Sequence, residues 1–158
     1  MDVLLEDIAQ LAQRRSAVIA TAESCTGGWV AQELTSIAGS SVWFDRGFVT
    51  YSNAAKEEML GVSAEIIKDH GAVSELVVKA MAEGALVKSS ASIAVSISGV
   101  AGPSGGSVEK PVGTVWFAWA ETGEDTEVKK CCFEGDRESV RKQAVRVALQ
   151  GILKKLSG

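Results

Sequence analysis

Strand-like and helix-like periods alternate along this chain, and that alternation limits its fold more than any single motif does. Apolar residues recur at helical spacing over 3–14, where Val3, Leu4, Ile8, Leu11 and Ala12 share one side. An apolar run at 17–22 reads as a strand, 27–37 as a helix, and Val42 to Tyr51 as a long β-like run. Asn53 is placed to cap a short helix that Gly61 ends. Ser63 is placed to cap a second that stops at His70-Gly71, and Ser74 a third from Glu75 to about Lys88. Strands are expected at about 92–98, 112–121 and 126–134, and Asp136 is placed to cap a last helix from Arg137 to about Leu156. Interleaved elements followed by three closely spaced strands predict an α/β domain with a mixed sheet and helices on both faces. At 158 residues, 46% of them hydrophobic, one domain spanning 1–158 can bury a full core.

Two of the strand-like runs end in loops rich in small residues. Ile93-Ala94-Val95-Ser96-Ile97 feeds a loop carrying Gly99, Gly102, Gly105 and Gly106. That much glycine costs backbone entropy unless the backbone itself is used. The second loop, Thr21-Ala22-Glu23-Ser24-Cys25-Thr26-Gly27-Gly28, follows Ala17-Val18-Ile19-Ala20 and precedes a helical pattern. Strand, small polar loop and helix start aim N–H groups at an anion. Ordinary N-capping by Ser24 or Thr26 is the plainer reading, and the two are compatible. Neither loop is a Walker A or a Rossmann fingerprint.

The net charge of −4 argues against a broad basic face for nucleic acid. No segment approaches the roughly 20 apolar residues of a membrane span, and the acidic start, Met-Asp-Val-Leu-Leu-Glu-Asp, is not that of a signal peptide. Three cysteines without a framework point to a reducing, cytoplasmic setting. One histidine and no Cys-x-x-Cys leave no basis for a metal site, and no cofactor is implied.

Nucleophilic catalysis has few routes here. His70, the only histidine, stands next to Gly71, where it most simply ends a helix. Cys25 reads as a small packing residue before it reads as a thiolate. Serine with lysine remains. The segment from Gly39 to Lys56 holds Ser40 and Ser41 before a β run, Tyr51 at its end, and Lys56 one turn into the next helix. Such a strand spans about 30 Å. Ser41 and Tyr51 therefore meet only if the strand bends at Gly47 or if a neighbouring subunit completes the site; Ser24 and Ser52 are next in line.

Thr21–Gly28, Gly39–Lys56, Gly71–Glu75, Ser98–Gly106 and Lys110–Thr114 together resemble the CinA C-terminal-domain family, and within it the stand-alone nicotinamide-nucleotide amidases. The resemblance covers nearly the whole chain. It implies a three-layer α/β/α sandwich that hydrolyses nicotinamide mononucleotide to nicotinate mononucleotide and ammonia in pyridine-nucleotide recycling. It implies Ser41 as nucleophile, Lys56 as base with Tyr51 beside it, and an arginine, Arg137 or Arg141, toward the substrate. Phosphate is then expected on Thr26, Gly27 and Gly28 and on the loop of Gly102, Gly105 and Gly106. A small nucleotide is the expected partner, and a homo-oligomer, a dimer first, the expected assembly. A nucleotide-binding module without catalysis, or an amidase of another small amide, stays open beside this reading.

Overall fold

The computed structural model describes residues 1–158. In chain order the elements are α1 (Asp2–Arg14), β1 (Ile19–Glu23), α2 (Trp29–Thr35), β2 (Phe44–Val49), α3 (Asn53–Leu60), α4 (Ala64–His70), α5 (Glu75–Val87), β3 (Ile93–Gly99), β4 (Thr114–Glu121), β5 (Glu127–Cys132) and α6 (Arg137–Ser157). The sheet has strand order β2-β1-β3-β4-β5. β2, β1 and β3 run parallel, β4 is antiparallel to β3, and β5, antiparallel to β4, returns to the direction of the first three. The sheet is therefore mixed, as the spacing of the last three strands predicts.

Helices cover both faces. α1, α2 and α6 pack with Ile19 of β1 and with Ile93, Val95 and Ile97 of β3. α3, α4 and α5 pack on the other face, against Ala20, Ala22 and Ala94. Every residue of β1 is buried, as a central strand with helices on both sides requires. The side chains facing α5 are small, which lets that helix lie close to the sheet. The Ser96 hydroxyl completes the contact by donating to the Val78 carbonyl. No helix is long and apolar enough to cross a membrane.

Local chemistry adjusts the expected boundaries. The run from Val42 to Tyr51 is strand only over Phe44–Val49, because Ser40–Val42 forms a single 3-10 turn before it. The cap of α3 is Ser52, not Asn53: the Ser52 hydroxyl accepts from the Ala55 N–H at 3.0 Å. Ser74 and Asp136 cap α5 and α6 through their side chains as expected. Ser63 occupies the cap position of α4 without a side-chain hydrogen bond.

The two directions taken by the chain after β1 and β2 create a cleft. The chain leaves β1 toward the α2–α6 face and leaves β2 toward the α3–α5 face. Where successive parallel strands send their chains to opposite faces, a crevice opens at their carboxyl ends. Here α3 must stay tight on α5 to hold one wall of it. Gly84 of α5 provides that fit, since a Cβ there would run into the Leu60 carbonyl of α3. Gly84→Ala should be destabilising by about 1–2 kcal/mol, although helix propensity alone favours Ala by about 1 kcal/mol. Thermal unfolding followed by circular dichroism checks the sign; a higher Tm would refute the tight α3–α5 contact.

Candidate active site

Lys56 is the one lysine driven into the interior. It lies in the middle of α3 and is 1% exposed. Its Nζ is 2.9 Å from the Thr50 carbonyl, 3.2 Å from the Tyr51 carbonyl and 3.1 Å from Ser24 Oγ. Both carbonyls belong to the two residues that follow β2, where the chain has left the ladder. Ser24 follows β1 directly, and its N–H donates to the Ile97 carbonyl of β3 at 2.9 Å. The pair therefore forms in the crevice between β1 and β2, one partner from each strand end.

Burial pulls the Lys56 amine below its ordinary value near 10.5; the Cys25 thiol beside it acts weakly in the opposite sense. Nζ donates to both carbonyls and to Ser24 Oγ, and the Ser24 hydroxyl donates to the Tyr51 carbonyl at 3.4 Å. Once deprotonated, the same amine would have a lone pair to turn to Ser24, the contact a general base needs. Cys25 is unsuited to that role, because burial pushes its thiol up to about 11 and keeps it protonated near neutrality.

The pair opens into a cleft of about 380 Å³. Its walls include Ala72, Val73, Val100 and Ala101 as apolar surface, and Tyr51, Ser98, Ser104 and Arg137 as polar surface. Gly102 and Gly105 of the second loop also face it. At the rim, Arg137 donates from Nη1 to the Gly102 carbonyl at 2.8 Å and from Nη2 to the Tyr51 hydroxyl at 3.3 Å. The remaining guanidinium donors point to no protein acceptor. Tyr51 thus contributes its main chain to Lys56 and its phenol, 63% exposed, to the rim.

The expected meeting of Ser41 with Lys56 does not form within the chain. Ser41 lies exposed in the 3-10 turn that precedes β2, whereas Lys56 follows β2. The six residues of that strand separate the two ends by about 20 Å, and no bend at Gly47 folds it back. Ser41 can reach a Lys56 only in another copy of the chain.

Five further expected residues shape the wall instead of the cleft. Thr26 is fully buried, and its hydroxyl donates to the Glu23 carboxylate at 2.6 Å. That carboxylate also accepts from the N–H groups of Val30 and Ala31 at the start of α2. Neither Ser24 nor Thr26 caps α2; Glu23 does so from the preceding strand. The anion position foreseen for phosphate at this helix start already holds a carboxylate. Gly27 and Gly28, at φ 59° and 101°, turn the chain into α2. Arg141 donates to the Cys25 and Thr26 carbonyls at 3.0 and 3.3 Å and stacks over Trp29. Gly106 packs against the main chain at Val112. No cluster of three or more His, Cys, Asp or Glu side chains is arranged as a metal site.

The sequence profile described as the CinA C-terminal domain matches residues 1–156. The chain belongs to the CinA C-terminal-domain family. It is 59% identical over 147 residues to the nicotinamide-nucleotide amidohydrolase PncC of Escherichia coli K12, covering 93% of this chain and 89% of that protein. The PncC of Pseudomonas putida is 52% identical over 141 residues, covering 89% of this chain and 88% of that one. A CinA-like protein of Akkermansia muciniphila is 55% identical over 134 residues, but that match spans only 32% of its longer chain. Among solved structures, the competence damage-inducible protein A of Klebsiella pneumoniae superposes with a TM-score of 0.93 at 45% identity, covering 98% of this chain and 95% of that one.

The Lys56 environment has a direct test. A pKa lowered by folding means that the fold carries a penalty at low pH. That penalty is relieved as pH rises from the folded value toward the unfolded one, so this group's contribution to stability increases across that window. Nuclear magnetic resonance of the lysine side chains should show one amine titrating below the others, absent in Lys56→Met. If all the lysines titrate together near 10.4, the amine is solvated and the base assignment falls.

Proposed function

We propose that this chain hydrolyses the carboxamide of nicotinamide mononucleotide to give nicotinate mononucleotide and ammonia, with Ser24 as nucleophile and Lys56 as base. The observation that carries the reading is the buried Ser24–Lys56 pair at 3.1 Å, open to a cleft. The amidohydrolase names of relatives that match most of this chain and of their own length support the substrate class. Recycling of pyridine nucleotides is the physiological role that follows.

Ser24 Oγ attacks the amide carbon while its proton passes to neutral Lys56. The tetrahedral oxyanion needs N–H donors, which the main chain of the loops lining the cleft would provide. Lys56 then returns the proton to the departing nitrogen, the C–N bond breaks and ammonia leaves. Water attacks the resulting ester with Lys56 again as base, and the Ser24 Oγ–C bond breaks as Ser24 regains its proton. The apolar side of the cleft suits the pyridine ring. Arg137 at the rim, with guanidinium donors to spare, suits the phosphate.

Ser24→Ala should fold and lose nearly all amidase activity, while Ser41→Ala should stay within a few-fold of wild type. Ammonia release from nicotinamide mononucleotide measures both, and a panel of other small amides tests the substrate class. If Ser41→Ala is the inactive variant and mixing it with Lys56→Ala restores turnover, the nucleophile comes from a neighbouring copy and Ser24 loses the assignment.

Arg137 should govern discrimination rather than chemistry. A charge-assisted contact to phosphate contributes about 1.5–3 kcal/mol, roughly ten- to a hundredfold in kcat/KM. The riboside should therefore be hydrolysed that much less efficiently than the nucleotide, and Arg137→Ala should narrow the gap. Steady-state kinetics on both substrates measure the ratio; equal efficiency in the wild type would remove the phosphate site.

A further inference from the structure

Glu23 and Lys56 are the two charged side chains buried to within 1% of full burial, and only Lys56 has a part in the reaction proposed above. A carboxylate is kept in such a place only when its oxygens are fully hydrogen-bonded. Glu23 Oε1 accepts from Thr26 Oγ1 at 2.6 Å and from the Val30 N–H at 2.9 Å, and Oε2 accepts from the Ala31 N–H at 3.0 Å. Val30 and Ala31 stand in the first turn of α2, where N–H groups have no helical partner. The side chain of the last residue of β1 therefore closes a loop over residues 23–31, and Ser24 is the first residue inside it.

The main chain of Glu23 is pinned as well. Its carbonyl accepts from the Thr50 N–H at 2.8 Å, and the next N–H, that of Ser24, donates into β3. From outside the loop Arg141 holds the carbonyls of Cys25 and Thr26. What these bonds leave to the cleft is the Ser24 side chain, whose Oγ accepts from Lys56 Nζ at 3.1 Å and donates to the Tyr51 carbonyl at 3.4 Å. Glu23 itself does not line the cleft.

We infer that Glu23, bonded to Thr26 and the start of α2, is a positioning residue that holds Ser24 in line with Lys56. The inference rests on the reading of Ser24 as nucleophile. It reassigns Thr26 from substrate contact to support of the loop. Glu23→Gln keeps the shape but sets an amide NH2 against an N–H of α2 in either orientation. Thr26→Val keeps the volume and removes the hydroxyl donor.

The experiment compares kcat and KM for nicotinamide mononucleotide in wild type, Glu23→Gln and Thr26→Val, with thermal unfolding to establish that each variant folds. Glu23→Gln should lower kcat ten- to a hundredfold and Thr26→Val at least threefold, with KM within threefold in both. The acid limb of the pH profile should not move, since Glu23 is not among the groups that shift Lys56. A folded Glu23→Gln with kcat within twofold of wild type overturns the inference. So does a Thr26→Val that raises KM and keeps kcat, the signature of a substrate contact. If Glu23→Gln fails to fold, Thr26→Val decides alone. If the wild type does not hydrolyse the nucleotide, the amidase reading fails separately. Positioning is then read from the rate at which a fluorophosphonate labels Ser24, located by peptide mass spectrometry. A tenfold slower labelling in Glu23→Gln, or in Thr26→Val where Glu23→Gln does not fold, supports the inference. An equal rate, or no labelling of Ser24 in the wild type, overturns it.

Discussion

The burial of one amine organises this molecule's chemistry. Removing an ammonium from water is expensive, and the usual response of a buried lysine is to lose its proton. Lys56 is brought inside by α3, whose first turn is fixed by Ser52 and whose far end is pressed against Gly84 of α5. The amine then needs acceptors that no helix or strand is using. The end of β2 provides them, because the Thr50 and Tyr51 carbonyls are released where the chain turns from sheet to helix. Where β2 stops thus decides which acceptors the buried amine finds, and the hydroxyl after the adjacent strand lies 3.1 Å from it.

Two consecutive residues at the end of β1 point in opposite directions. Ser24 faces the cleft and Glu23 faces away from it, as neighbouring residues at a strand end must. The alternation that points one side chain toward α3 sends the other toward α2, so the proposed nucleophile and its proposed support come from consecutive positions without competing for space. The helix start that resembles an anion site from its sequence is in fact satisfied internally. A small loop before a helix reads identically whether its N–H groups await a ligand or already hold a carboxylate from within the chain.

The architecture was largely legible in the sequence. Period and punctuation place all six α-helices and five strands, and the three closely spaced strands at the end foretell the mixed sheet. Lys56 was legible as a candidate base, and so was the loop that carries Gly102 and Gly105. The partner of Lys56 was not singled out, because proximity along the chain favours Ser41, whereas the fold works by strand direction. Ser41 precedes β2 and Lys56 follows it, so the two belong to opposite edges of the sheet. Ser24 follows β1, and in a parallel pair the residues after both strands share one edge. That signal was available: a polar residue just after one parallel strand is a better match for a lysine after the next than a serine before the same strand. The roles of Glu23 and Arg141 carried no such signal, since both depend on contacts made only once α2 and α6 have packed.

Arg141 and Arg137 lie one helical turn apart on α6, yet they have different partners. Arg141, partly buried, spends its donors on the carbonyls of the Ser24 loop and its face on Trp29. Arg137, at the exposed first position of the helix, keeps donors free and reaches both sides of the cleft mouth through Gly102 and Tyr51. On the proposed reading a phosphate at that mouth would meet those free donors, whereas the N–H groups at the start of α2 are already taken by the Glu23 carboxylate.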